Sequence, residues 1–186
     1  MSPEFLPAPP LAVSEWFNTP APLSLDDFRG RIVVLHTFQM LCPGCVSHGL
    51  PQAQAVHDRF TDLGVAVMGL HTVFEHHAAM TPIALEAFIH EYRWSFPIGV
   101  DRPSGSDPVP QTMRAYQLRG TPSLVVIDRA GRIRQSAFGR VDDLSLGALL
   151  GQLMMEPCPT TVPPADAREN LQGVGFCNSE VCASGD

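Results

Sequence analysis

The chain has 186 residues, 45% hydrophobic and 17% charged, which is enough apolar material for one buried core and too much for a wholly disordered polypeptide. Its formal net charge of -7 leaves no basic footprint for phosphate, so small molecules or proteins are the expected partners and nucleic acid is not. There is no run of about 18 uninterrupted apolar residues and no basic leader followed by an apolar core, so a cytoplasmic protein without a membrane partner is expected.

Residues 1–22 are rich in proline, which removes backbone donors and predicts an extended arm on the surface, with the fold beginning near Leu23. Leu23 to Gly30 reads as a short turn or helix closed by glycine. Arg31 to Phe38 is a β-branched run expected to be a buried strand. Cys42 and Cys45 follow directly. Val46 to Leu63 carries helical spacing at Leu50, Val56, Phe60 and Leu63, with Gly64 as a stop and Pro51 as a kink one turn in.

The alternation continues with a strand at Val65 to Leu70, a helix at Thr81 to Tyr92 and a short strand at Phe96 to Asp101. Strands alternating with helices imply parallel pairing. A polar loop from Arg102 to Pro110 leads to a short helix over Gln111 to Leu118 and a buried strand over Ser123 to Asp128. The Asp128-Arg-Ala-Gly131 turn predicts a hairpin into Arg132 to Phe138, and Leu144 to Met155 forms the closing helix. Residues 157–186, rich in Pro, Gly, Ser and Asn, read as a tail outside the domain of residues 23–156.

Cys42-Pro-Gly-Cys45 alone has three readings: two inert core thiols, half of a zinc site, or a redox pair. Its position between a buried strand and a helix favours the third. Unpaired N–H groups and the macrodipole at a helix N-terminus stabilise a thiolate, so Cys42 is the expected nucleophile. Cys45, one turn further on, can resolve the mixed disulfide formed when Cys42 attacks.

Four segments together resemble the thioredoxin-like superfamily, and more closely its TlpA/ResA thiol-disulfide oxidoreductase and AhpC/TSA redoxin branch. They are the lead-in LSLDDFRGRIVVLHTF, the CPGC motif at a helix start, the run TPSLVVIDRAGRI and the closing helix, covering residues from about 20 to 156. The resemblance implies an α/β fold with a central mixed sheet flanked by helices and a cis bond before Pro122 packed against both cysteines. It also implies that the Thr121 backbone hydrogen-bonds a substrate peptide. Leu41 stands where such proteins usually carry Trp, and it is assigned to substrate contact together with Pro43, Thr121 and Pro122. His36 stands six residues before Cys42, where thioredoxins have a buried Asp. It is expected either to relay a proton to Cys45 or to be a core histidine satisfied by backbone.

Peroxiredoxins share this fold and place a threonine three residues before the reactive cysteine, whereas Thr37 is five residues before Cys42. Arg119 and Arg102 could support a thiolate or a peroxidatic oxygen, or form ordinary surface ion pairs. His71, His76 and His77 with Glu75 are expected on a polar rim beside Cys42; their spacing does not fit a helical zinc motif. In the tail, Cys177 and Cys182, with Cys158 upstream, read as a surface pair, a second redox pair or a metal site.

The resulting expectation is a thiol-disulfide oxidoreductase needing no bound cofactor or metal. Its partners would be a disulfide-containing protein or small-molecule disulfide and a recycling thiol. The alternatives are a thiol-dependent peroxidase and a redox-inert module that holds an extended peptide.

Overall fold

The computed structural model describes residues 5–157. Cys158, Cys177 and Cys182, and with them the expected tail pair, lie outside the described residues. The strands are Val13–Phe17 (β1), Ile32–Phe38 (β2), Val65–His71 (β3), Ile98–Asp101 (β4), Ser123–Ile127 (β5) and Ile133–Phe138 (β6). The α-helices are Leu50–Phe60 (α1), Pro82–Tyr92 (α2), Gln111–Ala115 (α3) and Asp143–Met155 (α4).

Every residue of β2, β3 and β5 is buried, as their continuous apolar runs require of strands covered on both faces. They sit at the middle of one mixed sheet of order β1-β4-β3-β2-β5-β6. β2, β3 and β4 run parallel, whereas β1, β5 and β6 each pair antiparallel with their neighbours. On one face, Ile32, Val34 and Phe38 pack with Leu50 and Ala53 of α1, Leu85 of α2 and Leu146 and Leu150 of α4. On the other, Val33, Leu35 and Met68 pack with Tyr116 just after α3 and with Leu11, Val13 and Trp16. The alternation along β2 decides which side chain meets which layer, and it turns His36 toward α1.

The proline-rich stretch departs from the expected surface arm. Val13–Phe17 is a proline-free run that adds an edge strand to β4, and the chain before it crosses the second face, where the Tyr116 hydroxyl donates to the Pro9 carbonyl at 2.7 Å. Proline removes only its own donor, so residues between prolines can still pair. Gly99 of β4 makes the seat: a Cβ there would meet Val13 Cγ1 at 2.9 Å.

The helix after the cysteines is also more irregular than its spacing predicts. It is helical from Pro43, widens into a π turn over Cys45–Gly49, and continues as α1 before a 3-10 turn at Thr61–Leu63. The widening falls just before Pro51, whose missing N–H and ring disrupt regular α bonding there. Gly64, at φ 84°, ends it. The third expected strand pairs only from Ile98, and α3 stops at Ala115, with Gln117 left-handed at φ 53°.

At the pole away from the cysteines, Asp128 fixes the β5–β6 hairpin. It accepts the N–H groups of Ala130 (2.9 Å) and Arg132 (3.0 Å) and the Arg132 Nε–H (2.9 Å), and pairs with buried Arg134 at 3.4 Å. Arg134 also pairs with Glu156, and Arg129 donates to the Met154 and Glu156 carbonyls at the end of α4. Asp128→Ala therefore leaves Arg134 without one of its two carboxylates and loosens both hairpin and helix. The expected cost is about 3 kcal/mol, read as a lower urea midpoint with unchanged secondary structure.

Among the described residues no helix is long and apolar enough to cross a membrane.

Candidate active site

β2 ends at Phe38 and the chain turns through Gln39 and Leu41 to reach Cys42. The turn is held by the Cys42 N–H, which donates to the Gln39 carbonyl at 3.2 Å. Cys42 is the residue before the first helical turn, and the N–H groups of Cys45 and Val46 donate to its carbonyl, each at 3.1 Å. Pro43 occupies the first helical position, where its fixed φ suits the helix and its missing N–H would have had no partner. The motif thus builds a helix start with one sulfur on its rim and one beneath it.

The two thiols are unequal. Cys42 is half-buried and Cys45 is buried, and both are free thiols. Cys42 Sγ donates to the Thr121 carbonyl at 3.5 Å and accepts the Cys45 N–H at 3.3 Å. Burial, reinforced by the neighbouring Cys42, pushes the Cys45 thiol up to about 12, although hydrogen bonds from the Gln39 backbone and the Thr121 side chain work the other way. Cys45 therefore stays protonated until a bond to it begins to form.

The Thr121–Pro122 peptide is cis, and the Pro122 ring lies on the first turns of the helix. A Cβ on Gly44 would lie 3.4 Å from Pro122 Cδ, and one on Gly49 3.3 Å from Pro122 Cβ. Gly49 is under a stronger constraint, because its Cβ would meet His36 Cε1 at 2.5 Å. His36 thus sits directly beneath the helix, close to Pro122. Burial and the proximity of His48 draw its pKa down to about 4, so the ring is neutral at pH 7, and its Nδ1 has no hydrogen-bond partner among the described residues. His48 Nε2 lies 3.1 Å from the Val141 carbonyl, which also accepts from Gln52 at 2.9 Å, tying the cysteine helix to the start of α4.

The substrate-contact residues named from the sequence surround Cys42. Leu41 is 58% exposed, Pro43 is exposed, Thr121 meets Cys42 directly, and Pro122 lies against Gly44 and Gly49. The polar rim is only partly as expected. Glu75, His76 and His77 are exposed and Glu75 accepts from Gln39 at 3.3 Å. His71, however, is the fully buried last residue of β3, its ring tilted against Phe38 with centroids 5.3 Å apart, and cannot line a rim. Among the described residues no group of three or more His, Cys, Asp or Glu is brought together as a metal site. Thr37 is buried and spends its hydroxyl on the Ser123 carbonyl at 3.4 Å, and Arg102 donates to the Val13 carbonyl of β1 at 2.9 Å. Gln39, His48 and Gly49 complete the site beyond the residues foreseen, two of them without a signal in the sequence. Only Gly49, close before Pro51 in a helical stretch, offered one.

A mixed sheet with a cysteine pair at a helix start beside a cis proline defines the thioredoxin-like class. The chain belongs to the AhpC/TSA family, whose profile matches residues 7–136. Among solved structures, a thioredoxin-like superfamily protein is 56% identical with a TM-score of 0.80, over 83% of this chain and 99% of its own. A thiol-disulfide isomerase from Corynebacterium glutamicum is 53% identical with a TM-score of 0.77, over 81% and 98% respectively. The thiol-disulfide oxidoreductase ResA of Bacillus thuringiensis subsp. konkukian is 24% identical over 117 residues, 63% of this chain. The chain spans about 60% of the length of the curated ResA relatives it matches.

Proposed function

We propose that the chain is a thiol-disulfide oxidoreductase that exchanges electrons with disulfide-containing proteins or small-molecule disulfides through Cys42 and Cys45, and is recycled by a thiol reductant. The observation that carries this reading is the inequality of the two sulfurs, one at the surface of a helix start and the other buried behind it with its proton held. In the reducing direction, Cys42 thiolate attacks one substrate sulfur, the other leaves as a thiolate, and a mixed disulfide forms. Cys45 then gives up its proton, attacks Cys42 Sγ and releases the second substrate thiol. Two electrons leave the pair and one protein disulfide is formed. The neutral His36 ring, which lies against Gly49 one helical turn beyond Cys45, is the group proposed to take up that proton as the forming bond to Cys42 acidifies Cys45.

The names of the similar oxidoreductases and isomerase support the same reading, as does the contact of Cys42 with Thr121, whose backbone is proposed to pair with an extended substrate. The direct test supplies dithiothreitol as electron source, a model protein disulfide as substrate and hydrogen peroxide as competitor. The expected result is accelerated disulfide reduction to which peroxide makes little difference. Rapid peroxide consumption with little disulfide reduction would instead identify a thiol peroxidase, and neither activity would leave a redox-inert peptide-binding module.

A further inference from the structure

Two residues before Thr121, whose carbonyl receives the Cys42 thiol, the exposed Arg119 stacks its guanidinium 5.7 Å from the centroid of the Phe138 ring. Two residues of chain span at most about 7 Å, so the Arg119 backbone starts beside the Thr121 carbonyl that Cys42 meets. Phe138, the last residue of the edge strand β6, is 53% exposed and held in place on the sheet. It is held because the chain leaves room for it. Gly120 accommodates the ring where a Cβ would meet Phe138 Cε2 at 2.8 Å, and the following Gly139 donates to the Pro122 carbonyl at 2.8 Å.

The arginine is also electrostatically idle. Among the described residues no ion pair involves it, although the chain as a whole is acidic, at -7. Arg140 nearby differs, because its charge acts on Asp142. A planar guanidinium lying on an aromatic face is pre-oriented to receive a carboxylate on its free edge, and the ring beneath it offers an apolar surface.

We infer that Arg119 and Phe138 form a substrate subsite selecting disulfides that carry a carboxylate next to an apolar or uncharged group beside the reacting sulfur. This rests on the exchange reading above and adds a charge preference to it. The subsite takes no part in bond making. It raises the encounter rate and residence of anionic disulfides at Cys42, against the repulsion expected from the acidic remainder of the protein.

The test uses the full chain, reduced beforehand and freed of reductant, mixed with excess oxidised glutathione, which is net negative, or cystamine, which is dicationic. Oxidation of Cys42 and Cys45 is followed by peptide mapping, giving a second-order rate constant for each disulfide. Arg119→Glu is compared with Arg59→Glu, which makes the same change in net charge about 20 Å further along the cysteine helix and beyond the Debye length of about 8 Å at physiological salt. The expected result is a fall of about tenfold in the glutathione-to-cystamine rate ratio for Arg119→Glu and less than about twofold for Arg59→Glu. Equal shifts in the two variants, or none in Arg119→Glu, would overturn the subsite while leaving the exchange reading intact. Oxidation of the wild type by neither disulfide would overturn the exchange reading itself, and the subsite with it.

Discussion

Cys45→Ser is expected to stop the protein halfway. Cys42 remains on the rim of the helix with its contact to Thr121, so the first attack proceeds and half of the substrate stays attached. Release then depends on a thiol from solution at about millimolar concentration instead of a sulfur held one turn away. Well-oriented intramolecular groups act at effective concentrations many orders of magnitude higher, so turnover should fall by about a thousandfold or more. A non-reducing mass spectrum should show the protein plus one substrate half. Cys42→Ser is expected to lose the first step as well, with no adduct, because the remaining thiol is buried and strongly protonated. Turnover persisting in Cys42→Ser would mean that some other sulfur does the chemistry.

Acid should destabilise the fold steeply between about pH 6.5 and pH 4, a consequence of two histidines that have no part in that sulfur chemistry as nucleophiles. Burial holds both His36 and His71 at about 4, whereas in the unfolded chain each titrates near its ordinary value of about 6.5. Between those limits the unfolded state binds protons that the folded state refuses, so the unfolding free energy rises with pH. The stability is fully present above the ordinary histidine value and is lost as pH falls toward 4, where the loss levels off. Each residue contributes about 3 kcal/mol across the window. The two together are comparable to the total stability of many domains. Urea midpoints measured from pH 7 down to pH 4.5 should fall, and His71→Asn or His36→Asn should each remove about half of the slope. A slope untouched by either substitution would show that other groups govern the acid response.

The central strands, the cysteine pair and the closing helix were legible because each depends on local pattern. β2, β3 and β5 are apolar runs long enough to be strands and short enough not to be helices, and CPGC between a strand and a helix places its first sulfur at the helix start. β1 was hidden by its setting, since flanking prolines masked five residues whose partner, Gly99, lies far away in sequence. His71 illustrates a different limit. A histidine at the end of a strand can face solvent or core according to the register of the neighbouring strand, and three consecutive pairs with β4 at Gly69, Leu70 and His71 fixed it inward. The Arg119–Phe138 stack was invisible for the same reason, because β6 brings Phe138 opposite Ser123 and local spacing contains nothing of that register.

The widened turn over Cys45–Gly49 gives this part of the chain a tolerance to a change in length. A π turn accommodates one residue more than an α turn along the same stretch of axis. Deleting any one residue between Cys45 and Leu50 would let the helix close to regular winding. Because one residue fewer then covers the same rotation, everything before the deletion keeps nearly the same orientation relative to α1, and the cysteines stay beside Pro122 and His36. A homologous sequence with a one-residue gap at this point is therefore expected to hold its thiols in the same setting on a regular α-helix.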